Sequence, residues 1–369
     1  FLREQLQKHD YSFVFTPHIA KRELWKISGH EENYADSMFA PTHIEGDDDA
    51  EFRLKPMNCP FHIGIYKASP KSYRDLPQRY SEMGTVYRAE LSGTLHGLMR
   101  VRGFTVDDAH LFVRPDQVEQ EIGDCLDFAI HVFNTYGFDK VKFELSVRGG
   151  ADNKGYLGAD EDWANAEKSL ASALNERNIS YERIEGEAAF YGPKIDIKIT
   201  DSIGRIWQLG TVQLDFNLPE RFALEYTAED NQKHRPVMIH RALFGSVERF
   251  FGILVEQFAG AFPFWLAPVQ VAVLPITDRI NDYALEIAGE LRKIGVRVET
   301  NTKSDKIGAK IREAQIQKVP FMLVLGDKEK DEQSLAVRER KQGDLGAMTL
   351  DEFKEMAKRL KETRAISNS

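Results

Sequence analysis

With 369 residues, 42% hydrophobic and 29% charged, the chain is long enough for two to three domains and is not a mostly disordered polymer. Two cysteines exclude a disulfide scaffold and fit a reducing, cytoplasmic setting, and the longest uncharged run, 257–277, is broken by Pro263, Pro268 and Pro275, so no membrane span is expected. The net charge of −9 is unevenly spread: residues 268–369 hold 19 Lys/Arg against 17 Asp/Glu, leaving −11 on 1–267, so a polyanion would dock more easily on the C-terminal third.

The opening, Phe1-Leu2-Arg3-Glu4-Gln5-Leu6, lacks the apolar core of a signal peptide and starts inside an amphipathic helix, as a fragment of a longer protein would. Asp47-Asp48-Asp49 reads as a solvated loop. A strand ends at Tyr87-Arg88-Ala89-Glu90, and a flexible loop leads to a second strand from Arg100 to His110. Residues 116–136 form a helix, with a capping pair at Asp116 and Glu119, an apolar stripe Val118-Ile122-Cys125-Ala129-Val132-Phe133 and a stop at Gly137. Ile195, Ile197 and Ile199, and after a turn Val212, Leu214 and Phe216, alternate with polar residues as half-buried antiparallel strands do. Ser246 can cap a helix with the stripe Val247-Phe250-Phe251-Leu254-Val255-Phe258. The pattern changes at Trp265-Leu266-Ala267-Pro268. Beyond it, strands at 269–274, 296–300 and 321–325 alternate with helices at 278–294 and 305–318. An edge strand is expected at 334–340, and a last helix opens at Thr349 with Glu352 completing a capping box. The predicted fold class is an α+β domain with a large antiparallel sheet, residues 1–267, followed by an α/β domain with a mostly parallel sheet, residues 268–369.

If 100–110 is a strand, then Arg100, Arg102, Phe104, Val106, Asp108 and His110 share one face. Such a face is either a solvated edge or the floor of a site for a charged ligand, with arginines for phosphate and Phe104 for stacking a base. Arg249, in the first turn of the helix after Ser246, opposes the helix dipole unless an anion is also present. Cys59, His110 and His240 are separated by intervals that match no closed zinc motif, so spacing alone leaves them unassigned; Cys125 falls on the helix stripe and reads as core.

Arg88-x-Glu90, a loop and Arg100-x-x-x-Phe104-x-x-x-Asp108 resemble motif 2 of the class II aminoacyl-tRNA synthetases. Gly245-Ser246-x-Glu248-Arg249 resembles motif 3, and the opening helix and strand up to Pro17 resemble the tail of motif 1. The segments Lys55-Pro56-Met57-Asn58-Cys59-Pro60, Leu95-His96-Gly97-Leu98-Met99-Arg100, Tyr191-Gly192-Pro193-Lys194 and Met238-Ile239-His240-Arg241-Ala242 narrow the resemblance, over the whole chain, to the bacterial-type threonyl-tRNA synthetases. The resemblance implies a catalytic domain at 1–267 and an anticodon-binding domain at 268–369. It also implies L-threonine, ATP with Mg2+ and tRNA(Thr) as substrates, a cytoplasmic homodimer joined through the motif 1 region, and no membrane association.

It further implies roles. Arg88 bridges the α-phosphate and the threonine carboxylate, Glu90 reads the adenine, Phe104 stacks on it, and Arg100 and Arg249 hold a bent ATP. Lys194 reaches the α-phosphate and Gln208 the ATP. Cys59, His110 and His240 hold one zinc ion, whose open positions take the amino and hydroxyl groups of threonine. Asp108, Tyr191, Gln213 and Ser246 complete the amino acid pocket, and His30 lies near the ribose of the acceptor end. Arg312, Glu329 and Arg338 match anticodon-reading positions. The family's editing region is N-terminal to the catalytic domain and is expected to lie outside this chain.

Three departures stand out: Val106 where the family pattern has Gln, and Ser304 and Lys318 where it has Asn and Arg. Gln208 and Gln213 differ in parity, so both can face a ligand only if their strand bulges, with Gly210 the natural place. The competing readings are another class II enzyme such as the prolyl one, and a synthetase-like subunit that binds ligands without catalysis.

Overall fold

The computed structural model describes residues 1–149 and 155–367. Its packing separates two units, Phe1–Ile253 and Leu254–Ser369. Phe264 lies in the hydrophobic core of the second unit, 5.6 Å from the ring of Phe321.

In the first unit one sheet contains β1 (Ser12–Phe13), β2 (Gln78–Tyr87), β3 (Gly103–Val113), β4 (Val141–Val147), β5 (Tyr181–Glu185), β6 (Lys194–Thr200), β7 (Ile206–Asp215) and β8 (Val237–Ser246). Their order is β1-β2-β3-β8-β7-β6-β4-β5. The outermost pairs, β1 with β2 and β4 with β5, are parallel, and every pair between them is antiparallel. Helices α1 (Leu2–Lys8), α2 (Cys59–Lys67), α3 (Val118–Thr135), α4 (Asp160–Glu176) and α5 (Val247–Gln257) flank this sheet or follow it in the chain. The period-two pattern holds through Leu214: Ile195, Ile197, Ile199, Val212 and Leu214 are all fully buried, but β7 ends at Asp215, and Phe216, expected in the strand, lies half-buried beyond it. The stripe of α3 is buried as well and packs on β7 and β8.

Some local expectations are corrected. Helix α3 has no side-chain cap from Asp116, whose carboxylate is taken by Arg114 at 2.8–2.9 Å; Gln117 instead closes a box on the backbone N–H of Arg114. Asp47-Asp48-Asp49 do not form a loop but open a strand, Asp47–Leu54, that pairs with Thr42–Ile44. The turn is only Glu45-Gly46, where Gly46 takes the positive φ of 85° that a tight hairpin needs. Arg100 and Arg102 precede β3 rather than belonging to it; Arg102 turns back to the Glu90 carbonyl and the Ser92 hydroxyl.

The second unit contains β9 (Val271–Pro275), β10 (Val298–Thr300), β11 (Phe321–Leu325), β12 (Ser334–Glu339) and β13 (Gly343–Thr349), in the order β10-β9-β11-β12-β13. The first three are parallel and the last two antiparallel. Helices α6 (Asn281–Lys293), α7 (Ile307–Ile316) and α8 (Leu350–Thr363), with a short helix at Asp327–Asp331, accompany them. The strand at 334–339 is not an edge, because β13 covers it; two glycines and a register shift hide β13 from an alternation test. The capping box at the start of α8 is formed as expected, Thr349 Oγ1 accepting from Glu352 N–H and Glu352 from Thr349 N–H.

Gly84, in β2, lies under Asn58 at the N-terminus of α2. A Cβ there would sit 2.5 Å from Asn58 Nδ2, so α2 can approach the sheet only over a glycine. Gly84→Ala is therefore expected to cost about 1–3 kcal/mol through overpacking, read as a lower midpoint in thermal unfolding. An unchanged midpoint would show that α2 is free to lift.

Candidate active site

The register of the sheet builds the site in transverse rows. His110 of β3 is opposite His240 of β8, which is opposite Gln213 of β7, which is opposite Lys194 of β6. The next row is Asp108, Ala242, Thr211 and Asp196. Facing pairs share a face, so four chain-distant segments present their side chains together. Over this face α2 brings its first residue, Cys59. The sulfur and imidazole nitrogens of Cys59, His110 and His240 all lie within 4.8 Å of one another, and all three residues are buried.

These three line a cavity of about 150 Å³ together with Met57, Arg88, Val106, Asp108, Tyr191, Thr211, Gln213 and Ala242. Tyr191 stacks on His240 at 4.8 Å and donates its hydroxyl to Gln213 Oε1. Asp108 accepts from Asn58 Nδ2 at 3.0 Å and lies 3.7 Å from His110 Nε2. Burial raises the Asp108 carboxyl above the usual range, while His62 and the Asn58 hydrogen bond pull it down. Burial likewise raises the Cys59 thiol, assisted by Asp108 and Asp215. It lowers His110 well below the ordinary histidine value, assisted by the neighbouring imidazoles His62 and His240.

The donor set fits zinc: one sulfur and two imidazoles converge, and a coordinating cation would reverse the raised thiol by deprotonating it. His240 donates Nε2–H to Asp215 Oδ2 at 2.9 Å, which leaves Nδ1 bare toward Cys59 and His110. Asp215 itself is fixed because its other oxygen caps the backbone N–H groups of Asn217 and Leu218.

A second cavity of about 330 Å³ adjoins the first, lined by Arg88, Glu90, Met99, Arg100, Phe104, Gln208, Ser246, Arg249 and their neighbours. Arg88, Val106, Thr211 and Ala242 line both. Arg88 packs on Phe104 at 5.0 Å and on Tyr34 at 5.8 Å, and its Nε is buried without a hydrogen-bond partner among the described residues. Arg249 donates Nε–H to the Met99 carbonyl at 2.9 Å, and Ser246 caps α5 by accepting from Arg249 N–H. Burial, together with the charges of Arg100 and Arg88, holds Arg249 below the usual guanidinium value. Three like charges around one cavity call for a polyanion.

The comparisons with known proteins agree with this geometry. Residues 42–258 match the model of the tRNA synthetase class II core domain (G, H, P, S and T), and residues 270–360 match the anticodon binding domain. The threonine–tRNA ligase of Acidobacterium capsulatum is 54% identical over 365 residues, 99% of this chain and 53% of that protein. That of Aquifex aeolicus is 49% identical over 96% of this chain and 54% of its own length. The structure of the RNA binding domain of threonyl-tRNA synthetase from Cryptosporidium parvum superposes with a TM-score of 0.92 at 38% identity, covering 99% of this chain and 89% of that one. The chain belongs to the class II tRNA synthetases, of the threonyl type. It spans about half the length of the curated relatives it matches. The prolyl-tRNA synthetase of C. parvum, complexed with L-proline and AMP, shares the fold alone at 17% identity and a TM-score of 0.68.

Among the motif residues of this synthetase chain, Arg88, Glu90, Arg100, Phe104, Gln208, Ser246 and Arg249 gather at the larger cavity, and Cys59, Asp108, His110, Tyr191, Gln213 and His240 at the smaller. Gln208 reaches the same face as Gln213 because the β7 register shifts between Gln208 and Gly210, and its amide donates to Asp196. Glu90 and Arg100 are paired with each other at 2.8 Å. Lys194 lines neither cavity; its ammonium is held by Asp196. His30 also lines neither. It is fully buried against Ser28 and Met57, and burial pushes it down to about 3 with help from the Arg88 and Arg221 guanidiniums.

In the second unit, Arg312 is exposed on α7, Glu329 caps the backbone N–H of Gly326, and Arg338 pairs with Met322 in the β11–β12 ladder. No hydrogen bond or ion pair among the described residues joins any two of the three. The sequence reading missed Asn58, His62, Glu82, Thr211 and Asp215. Asn58 and His62 flank Cys59 on α2 and could have been suspected from that; the others are placed by pairing across the sheet.

Arg249→Met should weaken the binding of inorganic tripolyphosphate about 10- to 100-fold in calorimetry, the worth of one charge-assisted hydrogen bond. The unfolding midpoint of the ligand-free protein should shift by less than the equivalent of about 1 kcal/mol, because a repelled charge is removed along with its bonds to the Met99 and Gln208 carbonyls. A large stability loss with unchanged tripolyphosphate affinity would make Arg249 a scaffold residue.

Proposed function

We propose that this chain carries the catalytic and anticodon-reading parts of a cytoplasmic threonine–tRNA ligase, with the boundary at 267/268. The observation that carries the reading is that Arg88 lines both a small cavity bearing Cys59, His110, His240 and Asp108 and a larger one ringed by Arg100 and Arg249. L-Threonine fits the first and Mg2+-ATP the second. One oxygen of the threonine carboxylate attacks the α-phosphorus, and the bond to the oxygen bridging to the β-phosphate breaks, releasing pyrophosphate. The 3′-terminal ribose of tRNA(Thr) then attacks the resulting anhydride carbonyl, and AMP leaves.

No protein nucleophile is needed, because positioning and charge stabilisation carry the first step. Arg88 holds the carboxylate and the α-phosphate in one grip. Arg100 and Arg249 draw the phosphate tail back over Phe104, with Glu90 released from Arg100 to meet the adenine. Lys194 reaches the α-phosphate by leaving Asp196. Asp108 accepts the threonine hydroxyl proton in a hydrogen bond, and Tyr191 and Gln213 close the pocket, whereas Ser246, expected there, lines the adjoining larger cavity. His30, neutral and in contact with Met57 of the pocket wall, is assigned to the acceptor-end ribose. Zinc held by Cys59, His110 and His240 supplies a Lewis acid for the amino and hydroxyl groups of the substrate. Arg312, Glu329 and Arg338 are assigned to the anticodon, with Ser304 and Lys318 adjusting what is read there. A homodimer joined through the opening helix and β1 is part of the proposal. Two free, buried cysteines support a reducing compartment, and no helix among the described residues is long and apolar enough to cross a membrane.

Threonine-dependent exchange of pyrophosphate into ATP, measured beside metal content, tests the reading. Cys59→Ser should lose zinc and exchange together; exchange that survives full chelation of the wild type would refute the zinc assignment. The same assay tests selectivity. Valine leaves Asp108 and the metal unmatched and should be activated worse than threonine by roughly 10⁴-fold, whereas serine, short of one methyl, should lose only about 10- to 200-fold. Comparable rates for valine and serine would mean that shape, not the hydroxyl, is read.

A further inference from the structure

Behind His110 a line of buried polar groups runs on that the proposed chemistry leaves unused. His62, on α2 three residues after Cys59, has its Nδ1 2.8 Å from His110 Nδ1 and its Nε2 3.2 Å from Glu82 Oε2. Glu82 accepts the backbone N–H of Thr16 at 2.7 Å and the Thr16 hydroxyl at 2.8 Å, and lies 3.6 Å from Lys55 Nζ. Lys55 donates to Thr16 Oγ1 at 2.8 Å. Each of these residues is at most 2% exposed.

We propose that Glu82 and His62 are positioning residues that fix the tautomer of His110 and thereby set the metal affinity of the site. The proposal rests on the metal reading of Cys59, His110 and His240. A carboxylate only accepts, so His62 Nε2 carries a proton and donates it to Glu82. A neutral imidazole carries a single ring proton, and His62 gives this one to Glu82 at 3.2 Å. His62 Nδ1 is therefore bare and accepts Nδ1–H of His110. That leaves the lone pair of His110 Nε2 aimed at His240 Nδ1, 3.1 Å away.

Asp215 imposes the mirror condition on His240, whose Nε2–H it holds. Two lone pairs thus face each other beside the Cys59 sulfur with no proton between them, an arrangement that repels itself until a cation enters. The carboxylate behind each imidazole also makes it the better ligand. One turn of α2 supplies both a ligand, Cys59, and the lock on another, since residues three apart share a helix face.

Nitrogen-15 NMR of the metal-stripped wild type reads the tautomers directly. His110 is expected with its proton on Nδ1, and His62 and His240 with theirs on Nε2; His110 protonated on Nε2, or doubly protonated His62, overturns the proposal without any variant having to fold. Zinc competition against a chromophoric chelator reads the consequence. His62→Met removes the acceptor while keeping volume and is expected to weaken zinc binding about 10- to 100-fold, whereas His62→Gln, whose carbonyl can accept from His110, is expected to stay within about threefold of the wild type. Equal losses in the two variants would reduce His62 to packing and overturn the proposal. A wild type that binds no zinc would sink the metal reading and this proposal together, while equally tight binding by wild type and His62→Met would sink the proposal alone.

Discussion

Antiparallel pairing of β3 with β8 sets His110 across from His240 and Asp108 across from Ala242, and everything in the small cavity inherits that register. Strand side chains alternate with a period of two, so a slip of one residue would withdraw both imidazoles and turn Arg241 inward. The opposite face of the sheet holds the register in place. The Asp107 carboxylate accepts the backbone N–H groups of Leu243 and Phe244 at 2.8 and 2.9 Å, and Arg241, fully buried, lies 3.5 Å from Asp107. The guanidinium lies against the rings of Tyr11 and Phe128, at 4.8 and 5.5 Å from their centroids. A misregistered sheet would strand that charge in apolar surroundings, a cost of several kcal/mol.

Local rules reached the features that depend on neighbouring residues. Alternation found β6 and β7, and the Thr349 capping box found the start of α8. The parity conflict between Gln208 and Gln213 located the bulge before Gly210. What lay beyond those rules depends on pairing between distant segments. No spacing rule brings Glu82 behind His62, or Asp215 behind His240, because these contacts span 20 and 25 residues through a sheet whose order is not the chain order. The Cys59, His110 and His240 trio came from family resemblance rather than from its intervals. The face expected from 100 to 110 formed only from Phe104 onward, since Arg100 and Arg102 belong to the loop and are aimed by Glu90 and Ser92.

The larger cavity is held in an electrostatically unfavourable state. Arg249 is repelled by Arg100 and Arg88, and Arg88 keeps a buried Nε with no acceptor. Two structural arginines of the first unit are different: Arg79 is doubly bonded to Glu121, and Arg22 bridges Glu31 and Glu51. Among the described residues, Arg241 and Arg53 also bury guanidinium nitrogens without hydrogen-bond partners. It is therefore the mutual repulsion around the cavity, not an unpaired Nε, that marks guanidiniums kept ready for an anion. The backbone supplies the restraint, through Met99 for Arg249 and through Glu248, whose carboxylate accepts Thr105 N–H and ties α5 to β3. Gly245 makes that tie possible, because its φ of +64° and its approach to the Leu209 carbonyl leave no room for a side chain.

The wall shared by the two cavities, apart from Arg88, is made of Val106, Thr211 and Ala242, all short side chains. It is a doorway more than a partition. The separation between substrates is set by residues with little to remove and much that could be added, so the doorway is far easier to block than to widen. A longer side chain there would leave both rooms habitable and disconnected, an enzyme able to hold each reactant and unable to introduce them. With Val106, Thr211 and Ala242 so short, Arg88 is the one long side chain among the described residues that reaches into both rooms.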